Sequence, residues 1–196
     1  MTQHVRNILK VYRRATTEDT ANGLEWYDRA RRMSIAISDK TRLPVNTVIG
    51  VMAALSPNNR WERNVKDTET MCLSWVDGGD IQDFKVSCYN TMKAKAWSIL
   101  EDKLTDDDEI LTRLNGQKIR SFYSNIRGLS EVTIDGHAYN IALGIRQGLT
   151  SDKTNMGKKL YREMQEAYVK AAKRVGVKPH ELQAITWTTW KREHGI

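Results

Sequence analysis

The sequence predicts an all-α fold in a single domain, and three observations support this prediction. The chain has 196 residues, which matches the usual size of one domain. Apolar residues recur at helical spacing through most of it, and no segment shows sustained strand-like alternation bounded by hairpin turns. Only 12 glycines and three prolines occur and no internal repeat is present, which argues against disordered, collagen-like and solenoid classes.

The first half of the chain contains four predicted helices. An apolar stripe at i, i+3, i+4 and i+7 predicts the first helix, and it consists of Val5, Ile8, Leu9 and Tyr12. A second helix follows Thr17, which precedes two acidic residues suited to a first turn. The third helix starts near Pro44, and its continuous apolar run over 48–55 indicates that it is fully buried. A fourth helix is predicted over 60–75.

Helices also fill the second half of the chain. They are predicted over 91–104, from the acidic run 106–109 onward, over 117–126, from Asp135 onward, over 158–175 and over 179–193. A polar loop over 148–157 precedes the last two helices. The prediction is therefore nine or ten helices in one domain.

Composition predicts a soluble, cytoplasmic protein without a metal or cofactor. No run of about 18 apolar residues occurs, and the polar start of the chain does not resemble a signal peptide, so no membrane partner is expected. Two cysteines and four scattered histidines provide neither a disulfide framework nor a zinc-binding spacing. We expect a monomer.

The charge distribution favours a polyanionic partner. The net charge is +7, and it is concentrated at the two ends of the chain. Residues 1–42 carry nine basic and five acidic groups, residues 43–150 carry 12 and 14, and residues 151–196 carry ten and five. A nucleic-acid surface would therefore draw on both ends.

Three segments, in order, carry a resemblance to a known superfamily. The first is residues 48–61, VIGVMAALSPNNRW, and the second is residues 89–96, YNTMKAKA. The third combines residues 114–118, LNGQK, with residues 132–137, VTIDGH. These segments resemble the buried helix and wedge loop, the "YNxKAxxI" helix, the hairpin and the "VDTH" stretch of the helix-hairpin-helix DNA glycosylase superfamily.

This resemblance implies two helical lobes around a cleft within one domain over 1–196. The wedge and hairpin would lie in residues 44–148, and the terminal helices 1–42 and 157–193 would pack together. Double-stranded DNA with a modified base would be the partner. The wedge and hairpin would contact DNA through Pro57, Asn58, Asn59, Arg60, Asn115, Gly116 and Lys118.

Asp135 is the predicted catalytic residue. Cleavage of an N-glycosidic bond passes through an oxocarbenium-like state, which a carboxylate beneath the sugar stabilises while it orients or deprotonates water. An aspartate at this position is also a common N-cap. Lys118 is the second catalytic candidate, as the amine nucleophile of bifunctional relatives, although an ordinary phosphate contact is the favoured interpretation and the enzyme would then be monofunctional.

The sequence departs from the superfamily pattern in three ways. The hairpin is about two residues shorter, with Gly116 as its single glycine. Gly136 stands where a threonine follows the aspartate, and Asn140 stands where a basic residue is usual. The four-cysteine tail is absent, so no iron–sulfur cluster is expected.

Several aromatic and polar residues are candidates for holding an extruded base. Aromatic rings can stack on the base, and a glutamine can recognise its edge. Each of these residues also has an ordinary structural explanation. The tryptophans and the tyrosine could pack in the core, the histidine could form a hydrogen bond at a helix start, and the glutamine could form one between packed helices. The candidates are Trp26, Tyr27, Trp61, His137, Gln183 and Trp187.

Three functions remain open on this basis. The first is a DNA N-glycosylase that flips and excises a modified base, such as a hydroxymethylated or glucosylated pyrimidine, in phage–host conflict. The chain is also similar to a phage-related branch acting on modified bases, the α-glutamyl/putrescinyl thymine pyrophosphorylases, which implies a transferase that joins an amino acid or polyamine to an activated 5-substituted thymine. The third is a non-catalytic DNA-binding protein.

Overall fold

Helices make up nearly all the regular structure of residues 1–86, 88–148 and 156–196, which are the residues that this computed structural model describes. Within these ranges there are ten α-helices, one short 3-10 helix and no strand, and none of the helices is long and apolar enough to cross a membrane. The all-α prediction is confirmed. The α-helices are α1 (Gln3–Tyr12), α2 (Thr17–Thr41), α3 (Val45–Ala54), α4 (Trp61–Val76), α5 (Asn90–Glu101), α6 (Asp107–Leu114), α7 (Gln117–Arg127), α8 (Gly136–Leu143), α9 (Lys158–Val175) and α10 (Pro179–His194).

Most helix boundaries lie within two residues of their predicted positions. The clearest difference is α5, which ends at Glu101 instead of continuing to residue 104. Lys103 adopts a left-handed backbone conformation with φ 49°, and the amide of Leu104 bonds back to the carbonyl of Ile99, which closes the helix. Of the polar loop predicted over 148–157, residues 149–155 lie outside the described residues.

The chain divides into two compact units. Unit 1 comprises residues 1–27 and 129–196, and unit 2 comprises residues 28–128. The sequence grouped the chain differently, because it placed all of 1–42 with the closing helices and 129–148 with the hairpin. Residues 129–148 lie in unit 1 because the apolar face of α8 packs against α1 and α10.

Unit 1 is built on an apolar cluster shared by the first and last helices. Val5, Ile8 and Leu9 of α1 pack with buried residues of α8, α9 and α10. Ion pairs join the same parts of the chain, with Arg14 Nε 2.6 Å from Glu193 Oε1 and Arg192 Nε 2.9 Å from Asp19 Oδ2. The beginning and end of the sequence therefore form one core.

Unit 2 is organised around the apolar helix α3. Every residue from Thr47 to Ala54 is buried, as the sequence predicted, and α3 packs against α4, α5, α6 and α7. Gly50 lets α6 approach closely, because a Cβ atom there would lie 2.9 Å from the side chain of Ile110. Burial of an entire helix surface requires neighbours on all sides, which α4 to α7 provide.

A charged clamp closes the hairpin formed by α6 and α7. Asp107, at the start of α6, accepts hydrogen bonds from the guanidinium of Arg127 at 2.9 and 3.1 Å and from the hydroxyl of Tyr123. The bonds from Arg127, and then that from Tyr123, hold the pKa of the Asp107 carboxyl below its usual value. The clamp joins the start of α6 to the end of α7, opposite the turn that connects the two helices.

We expect Asp107→Asn to lower the free energy of unfolding by about 1 to 2 kcal/mol at pH 7, because a charge-assisted network is lost. The lowered pKa means that the carboxylate stabilises the fold above about pH 4 and ceases to do so as pH falls through its folded-state pKa. The difference between the two proteins in urea unfolding should therefore shrink below about pH 4.

Asp108→Asn is the matched control. It removes the same charge from the next residue in the chain, whose side chain is exposed. Equal losses of stability in the two variants would contradict the clamp.

Candidate functional site

Asp135 lies at the start of α8 and uses only part of its carboxylate to cap that helix. Oδ1 accepts a hydrogen bond from the amide of Ala138 at 2.8 Å. Among the described residues, no group donates a hydrogen bond to Oδ2. The N-cap interpretation is thus confirmed, and the half-buried carboxylate retains one oxygen for another partner.

Buried phenols lie near Asp135, close enough for its charge to act on two of them. The hydroxyl of Tyr161 accepts a hydrogen bond at 3.0 Å from the amide of Ile134, which fixes the segment leading into the helix. Burial raises the pKa of Tyr27 and of Tyr168 above the usual range, and the nearby negative charge of Asp135 raises both further. The carboxylate therefore borders a poorly hydrated region in which both phenols remain protonated.

An aromatic surface lies in unit 1, the unit that also contains Asp135. The ring centroids of Trp26 and Trp187 are 4.8 Å apart, and His137 meets the edge of Trp187 at 6.4 Å between centroids. The ammonium group of Lys191 lies 4.4 Å from the centre of a Trp187 ring. His137 follows Asp135 by two residues at the start of α8, and Lys191 places a positive charge beside the ring of Trp187.

The side chain of Tyr27 is hydrogen-bonded to that of Gln183. Its ring is 6% exposed, and its hydroxyl donates a hydrogen bond to Oε1 of Gln183 at 2.7 Å. Successive residues of a helix point about 100° apart, so Trp26 contributes to the surface whereas Tyr27 faces inward. A buried ring has little surface on which a base could stack, so this burial does not favour the predicted stacking role of Tyr27. Its hydrogen bond favours a role in orienting Gln183.

Gly23 allows α2 and α10 to approach closely enough for these contacts. A Cβ atom at this position would lie 2.5 Å from backbone atoms of Ile185. Backbone atoms cannot move aside as the end of a side chain can. The glycine thus sets the distance between the helices that carry Trp26 and Trp187.

The wedge loop, residues 57–60, lies in unit 2 between α3 and α4. Asn58 is exposed and has a left-handed backbone with φ 56°. Asn59 turns inward, where its amide donates to the Leu55 carbonyl and the Asp67 carboxylate, both at 3.2 Å. Pro57 is half-buried and Arg60 is exposed. Asn58 is therefore the asparagine available to a partner, and Asn59 has a structural role.

Tyr89 is a candidate that the sequence analysis did not single out. Its side chain is 57% exposed, and its hydroxyl accepts a hydrogen bond from Asn58 at 3.3 Å. The sequence placed this tyrosine at the start of the motif over 89–96 but assigned it no contact. Its hydrogen-bond partner Asn58 is 31 residues away in the chain, so the local sequence could not pair the two residues.

The hairpin turn lies in unit 2 at residues 115–116. Asn115 adopts a left-handed conformation with φ 46°, and Gly116 precedes α7 without a side-chain cap on that helix. Lys118 is half-buried in the first turn of α7. An open depression of about 580 Å³ adjoins Asn115 and is lined also by Lys95 and Arg113.

The predicted contact residues thus fall into two groups. Trp26, Tyr27, His137, Gln183 and Trp187 come together with Asp135 in unit 1. Trp61, which begins α4, and the wedge and hairpin residues lie in unit 2, where their proposed roles stay predictions. Within the described parts of the chain, no group of three or more histidine, cysteine or acidic side chains is arranged to hold a metal ion.

We expect Gly23→Ala to destabilise the protein by about 1 to 3 kcal/mol, because the added methyl group collides with backbone of α10. Alanine otherwise favours a helix over glycine, so the sign of the change in thermal unfolding tests the close approach.

Gly148→Ala provides the control, since nothing lies within 4 Å of a Cβ atom there and the residue is exposed and outside the described helices. A Gly23→Ala protein as stable as the wild type would contradict the packing of α2 on α10.

Comparison with known proteins gives one match. No curated protein and no solved structure matches the chain. A family described as a family of unknown function, DUF7178, matches residues 1–194. The chain therefore belongs to the DUF7178 family.

Proposed function

We propose that this protein is a monofunctional DNA N-glycosylase. In this proposal it extrudes a modified pyrimidine from DNA, such as a hydroxymethylated or glucosylated one, and cleaves it from deoxyribose with Asp135, in conflict between phage and host. The helix-hairpin-helix glycosylase arrangement is part of the same proposal.

The observation that supports the proposal most strongly is the surroundings of Asp135. Its Oδ2 receives no hydrogen bond from the described residues, while Oδ1 is fixed by the amide of Ala138. The aromatic surface of Trp26, His137 and Trp187 lies in the same unit, and His137 belongs to the helix that Asp135 caps. In this proposal a base stacked on that surface brings its sugar toward the oriented carboxylate, which is the arrangement that cleavage of the glycosidic bond requires.

The chemistry needs one water molecule and no metal. The bond between C1′ and the base nitrogen breaks, its electron pair leaves with the base, and the departing nitrogen takes up a proton from solvent. Asp135 stabilises the positive charge that develops on the sugar. The water oxygen bonds to C1′ and transfers a proton to the carboxylate, which later releases it to solvent.

Contacts with DNA would come from the hairpin and the wedge loop. The N-cap residue Gly116 provides no side-chain cap for α7, so the amide groups of the first turn can donate hydrogen bonds to a phosphate, and Asn115 and Lys118 lie at that position. We assign Lys118 to this phosphate contact. Asn58 and Tyr89, exposed and hydrogen-bonded to each other, would support the gap that the extruded base leaves.

Asp135→Asn should reduce single-turnover excision by about 10² to 10³, because the charge that stabilises the transition state is removed. Binding and folding should change little, since asparagine is also a good N-cap. Mass spectrometry of DNA and free bases after incubation with modified phage DNA measures the product.

Asp106→Asn is the matched control. Asp106 caps α6 through the amides of Asp108 and Glu109, so the same substitution tests an N-cap without the proposed chemistry. A loss of less than tenfold for Asp135→Asn would contradict the catalytic role. A mass added to the base would indicate a transferase, and unchanged DNA that is nevertheless bound would indicate a non-catalytic binder.

Asn58→Gly should slow excision of a paired base more than excision from single-stranded DNA, because only the duplex must be unstacked and unpaired. Glycine tolerates the left-handed backbone of this position, so the turn itself should persist. Single-turnover rates on the two forms of one oligonucleotide measure the effect. Equal losses on both would assign Asn58 to the fold or to the base pocket instead of the wedge.

A further inference from the structure

Lys95, on α5, bonds to the hairpin from outside it. Its side-chain ammonium donates a hydrogen bond to the carbonyl oxygen of Leu114, which is 19 residues away in the chain. Leu114 is the last residue of α6, and its side chain is fully buried. The carbonyl groups in the last turn of a helix have no partner within the helix, and a cation is favourable there because that end of the helix dipole is negative.

This carbonyl lies immediately before the turn that would contact a DNA phosphate. Asn115 ends α6 in a left-handed conformation, and Gly116 is the residue that precedes α7. The backbone bonds on either side of the turn stay within the two helices, since the amide of Asn115 bonds back to Leu111 and that of Arg120 to Gly116. The bond from α5 therefore ties the turn itself to the rest of unit 2.

The surroundings of Lys95 favour a structural contact over an exposed charge. Its side chain is half-buried, and the loss of hydration lowers the pKa of its ammonium group. Arg120 of α7 adds a second bond of the same kind, from its guanidinium to the carbonyl of Leu111 at 2.7 Å. The end of α6 is thus joined to α5 by one cation and to α7 by another.

We propose that Lys95 is a positioning residue for DNA binding, which holds the hairpin turn in the geometry that presents Lys118 and the first amides of α7 to a DNA phosphate. Lys95 would act on the phosphate only through the turn, because its ammonium group is bonded to the carbonyl of Leu114. This inference rests on the proposed function for the identity of the ligand, DNA, and it does not depend on excision of a base.

The test measures the affinity of the full-length protein for an unmodified, fluorescently labelled DNA duplex, well below the unfolding temperature of every variant. Lys95→Met removes the donor while keeping a long side chain, and it should weaken binding about tenfold, because a charge-assisted hydrogen bond that fixes the turn is lost. Lys95→Arg retains a cationic donor and should stay within about threefold of the wild type.

Lys93→Met is the matched control. Lys93 lies on the same helix and also donates to a backbone carbonyl, that of Phe84, which is outside the hairpin. This variant should keep the wild-type affinity within about twofold. Equal losses of affinity in Lys95→Met and Lys93→Met would overturn the inference, since both substitutions would then act by loosening α5.

The salt dependence of binding separates positioning from direct contact with DNA. Lys118→Ala should flatten the slope of log affinity against log salt by about one unit, because a cation that touches a phosphate is removed. Lys95→Met should leave this slope within about half a unit of the wild type, since the number of cations that contact DNA is unchanged. A change of about one unit in Lys95→Met would assign Lys95 to the phosphate itself and overturn the positioning role.

Single-turnover excision distinguishes this inference from the proposed function. At saturating DNA the rate in Lys95→Met should equal that of the wild type, because Asp135 lies in the other unit, and a loss as large as the loss of affinity would contradict the inference. Excision by the wild type together with unchanged affinity in Lys95→Met would overturn the inference alone. Binding of the duplex without excision of any base would refute the glycosylase proposal, and the affinities of the variants would still decide the role of Lys95. A wild-type protein that binds no DNA would overturn both.

Discussion

The packing of the chain's beginning against its end is the constraint on which the candidate site depends. Residues 1–27 and 129–196 share one apolar cluster, and the site draws on α2, α8 and α10 from both parts. No single segment contains enough apolar surface to order these helices alone. Gly23 then brings α2 against α10 at a distance that a larger residue would prevent. The aromatic surface is a consequence of this packing.

In the proposed function, Asp135 combines a structural and a chemical role in one side chain. The hydrogen bond from Ala138 to Oδ1 stabilises the start of α8 and also fixes the direction of the carboxylate. A carboxylate held this way loses little freedom when a substrate arrives, which is what preorganised catalysis requires. Capping and catalysis are therefore compatible explanations of the same residue.

The neighbouring residues Trp26 and Tyr27 point in different directions from α2. The helix points one ring to the aromatic surface and the other into the interior, where its hydroxyl controls Gln183. In unit 2, Asn58 and Asn59 show the same division, since the first is exposed and the second bonds to its own loop and to Asp67. In both pairs one residue is directed outward and its neighbour makes internal hydrogen bonds.

The sequence by itself determined the helices, their caps and the buried character of α3, because these features depend on residues within a few positions of each other. It also identified Asp135 as the start of α8. Only the tertiary structure decided that Tyr27 orients Gln183, 156 residues away, and that Tyr89 accompanies Asn58. The packing of whole helices determines which residues become hydrogen-bond partners over such distances in the chain. Local periodicity predicts on which face of a helix a residue lies, but it does not predict which distant residue contacts that face.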